Sequence, residues 1–250
     1  MGENEAKGDA YQVSLEAPID HWDEAIPLGN GLIGGLLWGG DGEIRLSLDR
    51  GDLWDLREHP VLSDESFNYR TIVSMARKGK TDELNERYTH KSPFPTKLPG
   101  ARLVIDRDGL EATSFRLAMK KALGTVELGG KEIECYLHAT LPLGVISLPG
   151  PDFDFELVPN EAVKILGYNP AEVAVEDRKI WLSQVAALGL RYVVYCEARE
   201  VAGEYLLLTT VTTNGDREDP LELAVKNVEN AFDIGPSDLR EAHNRWWSDF

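Results

Sequence analysis

The run Gly29-Asn30-Gly31-Leu32-Ile33-Gly34 spells G-x-G-x-x-G, and Asp49 stands twenty residues after its first glycine. In a dinucleotide-binding unit a strand enters such a loop and a helix leaves its last glycine, because the pyrophosphate rests on that helix's free N–H groups. Neither flank here permits it. "HWDEAIPL" is short and is interrupted by charge and by Pro27, unlike a buried parallel strand. In "GLLWGGDG", which follows Gly34, each interior glycine would cost a helix about 1 kcal/mol against alanine. The glycines therefore read as β-structure: an apolar strand from Leu32 to Trp38, a turn at Gly39-Gly40-Asp41-Gly42 and a return strand from Glu43 to Asp49. In the return strand Ile44, Leu46 and Leu48 alternate with Glu43, Arg45, Ser47 and Asp49, the period of a strand with one wet face. Asn30, between two glycines, is a turn residue able to take positive φ. Gly34 and Gly35 are expected to admit a neighbouring backbone.

The same texture continues along the chain. Residues 11–57 are strand-like. Residues 64–90 change to helical spacing: Tyr69, Ile72, Val73 and Ala76 share a face, Gly79 breaks it, and Leu84, Arg87 and Tyr88 resume it behind Thr81 and Asp82 as caps. "KSPFPTKLPG" is a proline-rich connection. From Ala101 to about Asn214, strand-like runs such as "KEIECYLHA", "KIWLSQVAA", "RYVVYCEA" and "EYLLLTTVTT" are closed off by Gly, Pro, Asn or Asp. That spacing predicts a mainly β protein, a large antiparallel sandwich rather than βαβ units. The last region, "DPLELAVKNVENAFD" and "PSDLREAHNRWWSDF", reads as two helices. The domain reading is a disordered tail over 1–10, a sandwich over 11–218 with a helical insert at 64–90, and a helical linker over 219–250. In the last helix Leu239, Ala242, Trp246, Trp247 and Phe250 form a heavy apolar face that needs a partner surface. The chain is accordingly expected to continue past Phe250 into another domain.

Charge and composition exclude several classes of function. The 250 residues carry 43 acidic against 26 basic side chains, a net charge of −17, which repels a phosphate backbone, and no basic run exceeds "RKGK" at 77–80. Nucleic acid is not an expected partner. No apolar run approaches the roughly 20 residues of a membrane span, and "MGENEAKGDAYQ" lacks the apolar core of a signal peptide. Cys135 and Cys196 both sit in strand-like runs, and two cysteines supply neither a disulfide framework nor a thiolate metal site. His21, His59, His90, His138 and His243 show no zinc-binding spacing, and there is no G-x-S-x-G elbow. No cofactor and no metal are expected.

The densest chemistry is Asp49-Arg50-Gly51-Asp52-Leu53-Trp54-Asp55. One reading is a sugar-facing rim, with the indole stacked on a pyranose and carboxylates accepting its hydroxyls. The other is a strand end whose acids cap a turn while Trp54 fills the core.

"WDEAIPLGNGLIGGLLWG" from Trp22 to Gly39, followed by "IRLSLDRGDLW" from Ile44 to Trp54, resembles the N-terminal domain of glycoside hydrolase family 95 and related bacterial polysaccharide-degrading proteins. In the same order come the insert with Gly79-Lys80, Leu98-Pro99-Gly100 before a strand, and the Trp-Trp helix. Where this chain has Ser47 or Asp49 the family commonly has Asn, which leaves the sugar open. The resemblance implies a β-supersandwich ahead of an (α/α)6 barrel that holds the acid and base of an inverting hydrolysis, so no catalytic residue is carried onto this chain. Beside it stand the candidates read from the residues themselves: a pocket rim at Asn30, Trp38, Asp49, Asp52 and Trp54, and interdomain docking through Leu239, Trp246, Trp247 and Phe250. The implied partners are carbohydrate, through the parent enzyme, and the downstream barrel, in the periplasm or outside the cell after removal of an export signal. Two alternatives stand beside it: a stand-alone carbohydrate-binding sandwich using Trp22, Trp38, Trp54 or Trp181, and a complete small enzyme using Asp49, Asp52 or Asp55.

Overall fold

The structure, a computed structural model, describes residues 11–89 and 92–249, without the side chains of 107 and 108. The expected disordered tail over 1–10 and the docking residue Phe250 lie outside the described residues. In chain order the strands are β1 (Gln12–Glu16), β2 (Ile26–Gly29), β3 (Ile33–Gly39), β4 (Asp41–Arg50), β5 (Trp54–Asp55), β6 (Thr96–Lys97), β7 (Ala101–Glu111) and β8 (Ser114–Ala118). They continue as β9 (Leu123–Glu127), β10 (Glu132–Leu137), β11 (Gly144–Leu148), β12 (Asp154–Val158), β13 (Glu172–Glu176), β14 (Lys179–Val185), β15 (Arg191–Val201) and β16 (Glu204–Thr213). The helices are α1 (Tyr69–Arg77), α2 (Thr81–Tyr88), α3 (Ala162–Ile165), α4 (Pro220–Ile234) and α5 (Pro236–Asp249).

Two antiparallel sheets face each other. The larger runs β1-β8-β9-β10-β11-β16-β15-β14-β13 and the smaller β12-β7-β4-β3-β2, with β5 and β6 paired apart. The protein is mainly β, as the spacing of turns and strands predicts. Between the sheets, Ile33, Leu37, Ile44, Leu46, Leu48 and Leu103 of the small sheet meet Ile133, Cys135, Leu137, Val194 and Cys196 of the large one. The larger sheet is also covered on its outer face. Tyr136, Val145, Val193, Tyr195, Leu206 and Leu208 pack there against Ala224, Val228, Ala231, Phe232 and Leu239 of α4 and α5. Burial on both faces explains why "RYVVYCEA" and "EYLLLTTVTT" show no polar alternation. Both cysteines are free and buried, and burial pushes each thiol up to about 12.

The glycine cluster bends strands. Gly34 lies inside β3, and no helix leaves it. At the β3–β4 turn Gly39 has φ +99°, and a Cβ there would stand 2.5 Å from the carbonyl oxygen of Glu43. Two details differ from the sequence expectation. Gly31, not Asn30, takes the positive φ. What closes on Gly35 is a side chain, Leu46, and not backbone, while Gly34 has open space where its side chain would be. The insert is the pair α1 and α2. Asn68 caps α1 by accepting from Thr71 N–H at 3.0 Å. No side chain caps α2, where Thr81 and Asp82 were expected to. On α1 the buried residue is Met75, and Tyr69, expected on the covered face, is exposed. At the other end Asp219 accepts from the N–H groups of Leu221 and Glu222 ahead of Pro220, and Gly235 with φ +85° ends α4.

Candidate functional site: the loop end and the terminal helix

Two places hold the residues singled out by the sequence. At the loop end of the small sheet, Asn30 works through its side chain. Its Oδ1 accepts from Leu32 N–H at 3.0 Å and Ile33 N–H at 2.8 Å, while its amide donates to the carbonyls of His138 and Leu141 at 2.9 Å each. It fastens the β2–β3 turn to the β10–β11 loop of the other sheet, a structural use of all its polar atoms.

The acidic run that follows β4 is bound up in cation pairs. Asp49 meets Lys97 Nζ at 2.5 Å. Arg50, 4% exposed, points inward, where its Nε and Nη2 donate to Asp52 at 2.7 and 2.9 Å. The same guanidinium donates to both oxygens of Asp216 at 2.5 and 2.7 Å and to the Val211 carbonyl at 3.1 Å. Burial works against the charge on Arg50, but the two carboxylates more than offset it and raise its pKa above the ordinary value. Asp55, 1% exposed, is held by Arg57 and by the Tyr168 hydroxyl at 2.5 Å. Burial alone would raise the Asp55 carboxyl; Arg57 and Tyr168 outweigh it and hold it at about 2. A general acid needs a carboxyl whose pKa is raised toward neutrality. Asp55 is instead held ionised by its partners, and Asp49 and Asp52 are each engaged by a cation.

The tryptophans divide differently from the sequence expectation. Trp54 is 43% exposed, donating to the Gly51 carbonyl at 3.0 Å, so it does not fill the core. Trp38, a rim candidate, is only 5% exposed. It lies on the outer face of the small sheet under the guanidinium groups of Arg45 and Arg102, 4.5 and 5.0 Å from its ring centre, and donates to Ser47 Oγ. The two arginines cover the ring, so Trp38 presents no free face to a sugar.

At the terminal helix, Leu239 is fully buried in its own chain, beneath the outer face of the large sheet, and is no part of a bare docking face. The neighbouring His243, also buried, adds a polar anchor to the helix. Its Nδ1 accepts from Ala139 N–H at 3.2 Å, and its Nε2 meets the Lys121 carbonyl at 2.7 Å. His138, 6.0 Å away between ring centres, accepts through Nδ1 from Thr140 and Leu141 N–H. Zinc spacing was the only question the histidines prompted from sequence, and this pair, 105 positions apart, carried no local signal. Trp246 is 40% exposed and stands edge-on to Trp247. Beside them runs a cleft of about 990 Å³ lined by Lys120, Lys121, Glu204, Arg240, Glu241, Arg245 and Trp247, in which Arg240 pairs with Glu134 and Arg245 with Glu241.

The histidine pair makes α5 sensitive to acid. Burial lowers the pKa of both rings; for His138 the neighbouring His243 adds to this, and for His243 so does Arg240. In the unfolded chain each binds a proton below about 6.5 while the folded pair resists, so stability rises with pH through this window. Acidification below about pH 6.5 is therefore expected to destabilise α5. Hydrogen exchange along α5 reads the slope, which shrinks in His243→Gln; an unchanged slope in that variant would refute the assignment.

Residues 13–147 match the family model described as glycosyl hydrolase family 65, N-terminal domain. No curated protein matches the chain.

Proposed function

We propose a function on the premise that this chain belongs to the glycosyl hydrolase family 65 N-terminal domain family, which its match over 13–147 shows. On that basis it is the non-catalytic N-terminal domain of a carbohydrate-active hydrolase. The carrying observation is the pairing of Asp49, Asp52 and Asp55 with Lys97, Arg50 and Arg57, which leaves the densest acidic run without a free acid and base. The chemistry is assigned to an (α/α)6 barrel of the family 95 kind, acting by inversion on an α-L-fucoside or a related sugar outside the cytoplasm. That finer assignment leans on the runs from Trp22 to Gly39 and from Ile44 to Trp54. The barrel is received on α5 at Trp246 and Trp247 and along the cleft beside them, and the Asp49–Trp54 loop shapes the rim of its pocket.

The test has two arms. The chain alone is expected to show no turnover of aryl glycosides; turnover abolished by Asp52→Asn would overturn the assignment. Supplied in trans, the barrel encoded with the chain is expected to bind it, and Trp246→Ala to weaken that binding. A gene in which no barrel follows would overturn it as well. The stand-alone binding module keeps one observation in its favour, a Trp22 that is 61% exposed.

A further inference from the structure

The outer face of the small sheet carries a groove of its own, away from α5. It encloses about 560 Å³ between Trp22, Gly34, Asp49, Arg102 and Asn160. It runs past Arg102 and Asn160 into a second hollow of about 450 Å³. Each is within the roughly 300–1,000 Å³ of small-ligand sites. Gly34 leaves its floor open, since no atom comes within 4 Å of where its Cβ would be. Trp22 belongs to a short 3-10 turn (Trp22–Glu24) and offers a rigid ring face to water at one edge. Such a face suits the C–H side of a pyranose.

Arg102 sets the charge of the occupant. Its guanidinium is half-buried over Trp38, its Nε is buried without a hydrogen-bond partner, and among the described residues it makes no ion pair. Arg45, Arg50, Arg57, Arg116, Arg199 and Arg240 are also withdrawn from water, and each holds a carboxylate. A guanidinium partly stripped of water needs acceptors, and a ligand carboxylate matches its fork. Asp49 across the groove does not repel such a ligand outright, because Lys97 neutralises it. Asn160 spends Oδ1 on Ala162 N–H at 2.8 Å, which leaves its amide nitrogen to donate to a hydroxyl.

We propose that this groove binds an acidic saccharide, with a pyranose ring stacked on Trp22 and a uronate carboxylate on Arg102. The saccharide class rests on the family reading above; the charge rests on Arg102. The test is calorimetric titration of the chain with trigalacturonic acid and with its methyl ester, which keeps the rings and loses the charges. The acid is expected to bind about tenfold or more tightly than the ester. Arg102→Met, which keeps a side chain over Trp38, removes that difference, and Trp22→Ala weakens both ligands. Thermal melts check that each variant is folded, and Arg102→Lys retains part of the preference for the acid. Equal binding of acid and ester, no binding of either at millimolar concentration, or binding untouched by Trp22→Ala would overturn the proposal. Because the readout is binding without hydrolysis, such a failure leaves the accessory-domain reading standing. Turnover of aryl glycosides would fail that reading and not this one.

Discussion

Replacing Arg50 by alanine is expected to cost about 3 kcal/mol or more of folding stability, the lower end of the range for removing one member of a buried ion pair. The loss does not come from Asp52, whose side chain is 54% exposed and regains water. It comes from Asp216 and the Val211 carbonyl, which lose their charged donor where the end of β4 meets the turn after β16. Urea denaturation measures it. Arg50→Lys should recover only part, because an ammonium cannot present two parallel N–H bonds to each of two carboxylates. A loss below about 1 kcal/mol, the size of an exposed pair, would show that the clamp contributes little.

The second large effect belongs to Leu239→Ala, expected to cost about 2–5 kcal/mol in the manner of other buried leucines. Leu239 has no exposed surface and lies among Val228, Phe232 and the outer face of β10, β11 and β16. The damage should concentrate in α5, seen as faster hydrogen exchange there while β15 and β16 stay protected. Trp246→Ala should do the reverse: it changes stability by about 1 kcal/mol or less, as surface positions do, yet weakens barrel binding. If Leu239→Ala left α5 exchange unchanged, the helix would not be held by that contact.

The alternation of Ile44, Leu46 and Leu48 and the glycines at Gly39-Gly40 made the β3–β4 hairpin legible, because both signals are local. The helix pair was legible for the same reason, through Asp219-Pro220 and Gly235-Pro236. The partners of the acidic run were not. Asp216 lies 166 positions from Arg50 and Tyr168 lies 113 from Asp55, and nothing in either neighbourhood announces the other. Trp38 and Leu239 were misplaced by a related fault. Both sit on stripes that look exposed or unpartnered in the sequence, and both are covered by residues distant in the chain, Arg102 over one and the large sheet beneath the other. The match to a family 65 N-terminal domain covers the part of the chain where local signals were densest.

β4 and β7 pair side by side although the chain between Arg50 and Ala101 wanders out through α1 and α2 before returning. The entropy of closing such an excursion grows only with the logarithm of its length, about 0.6 kcal/mol for each doubling. Lengthening or trimming that detour would therefore change the stability of this fold little. An insertion made between α1 and α2 is expected to leave the two strands that flank the detour in register.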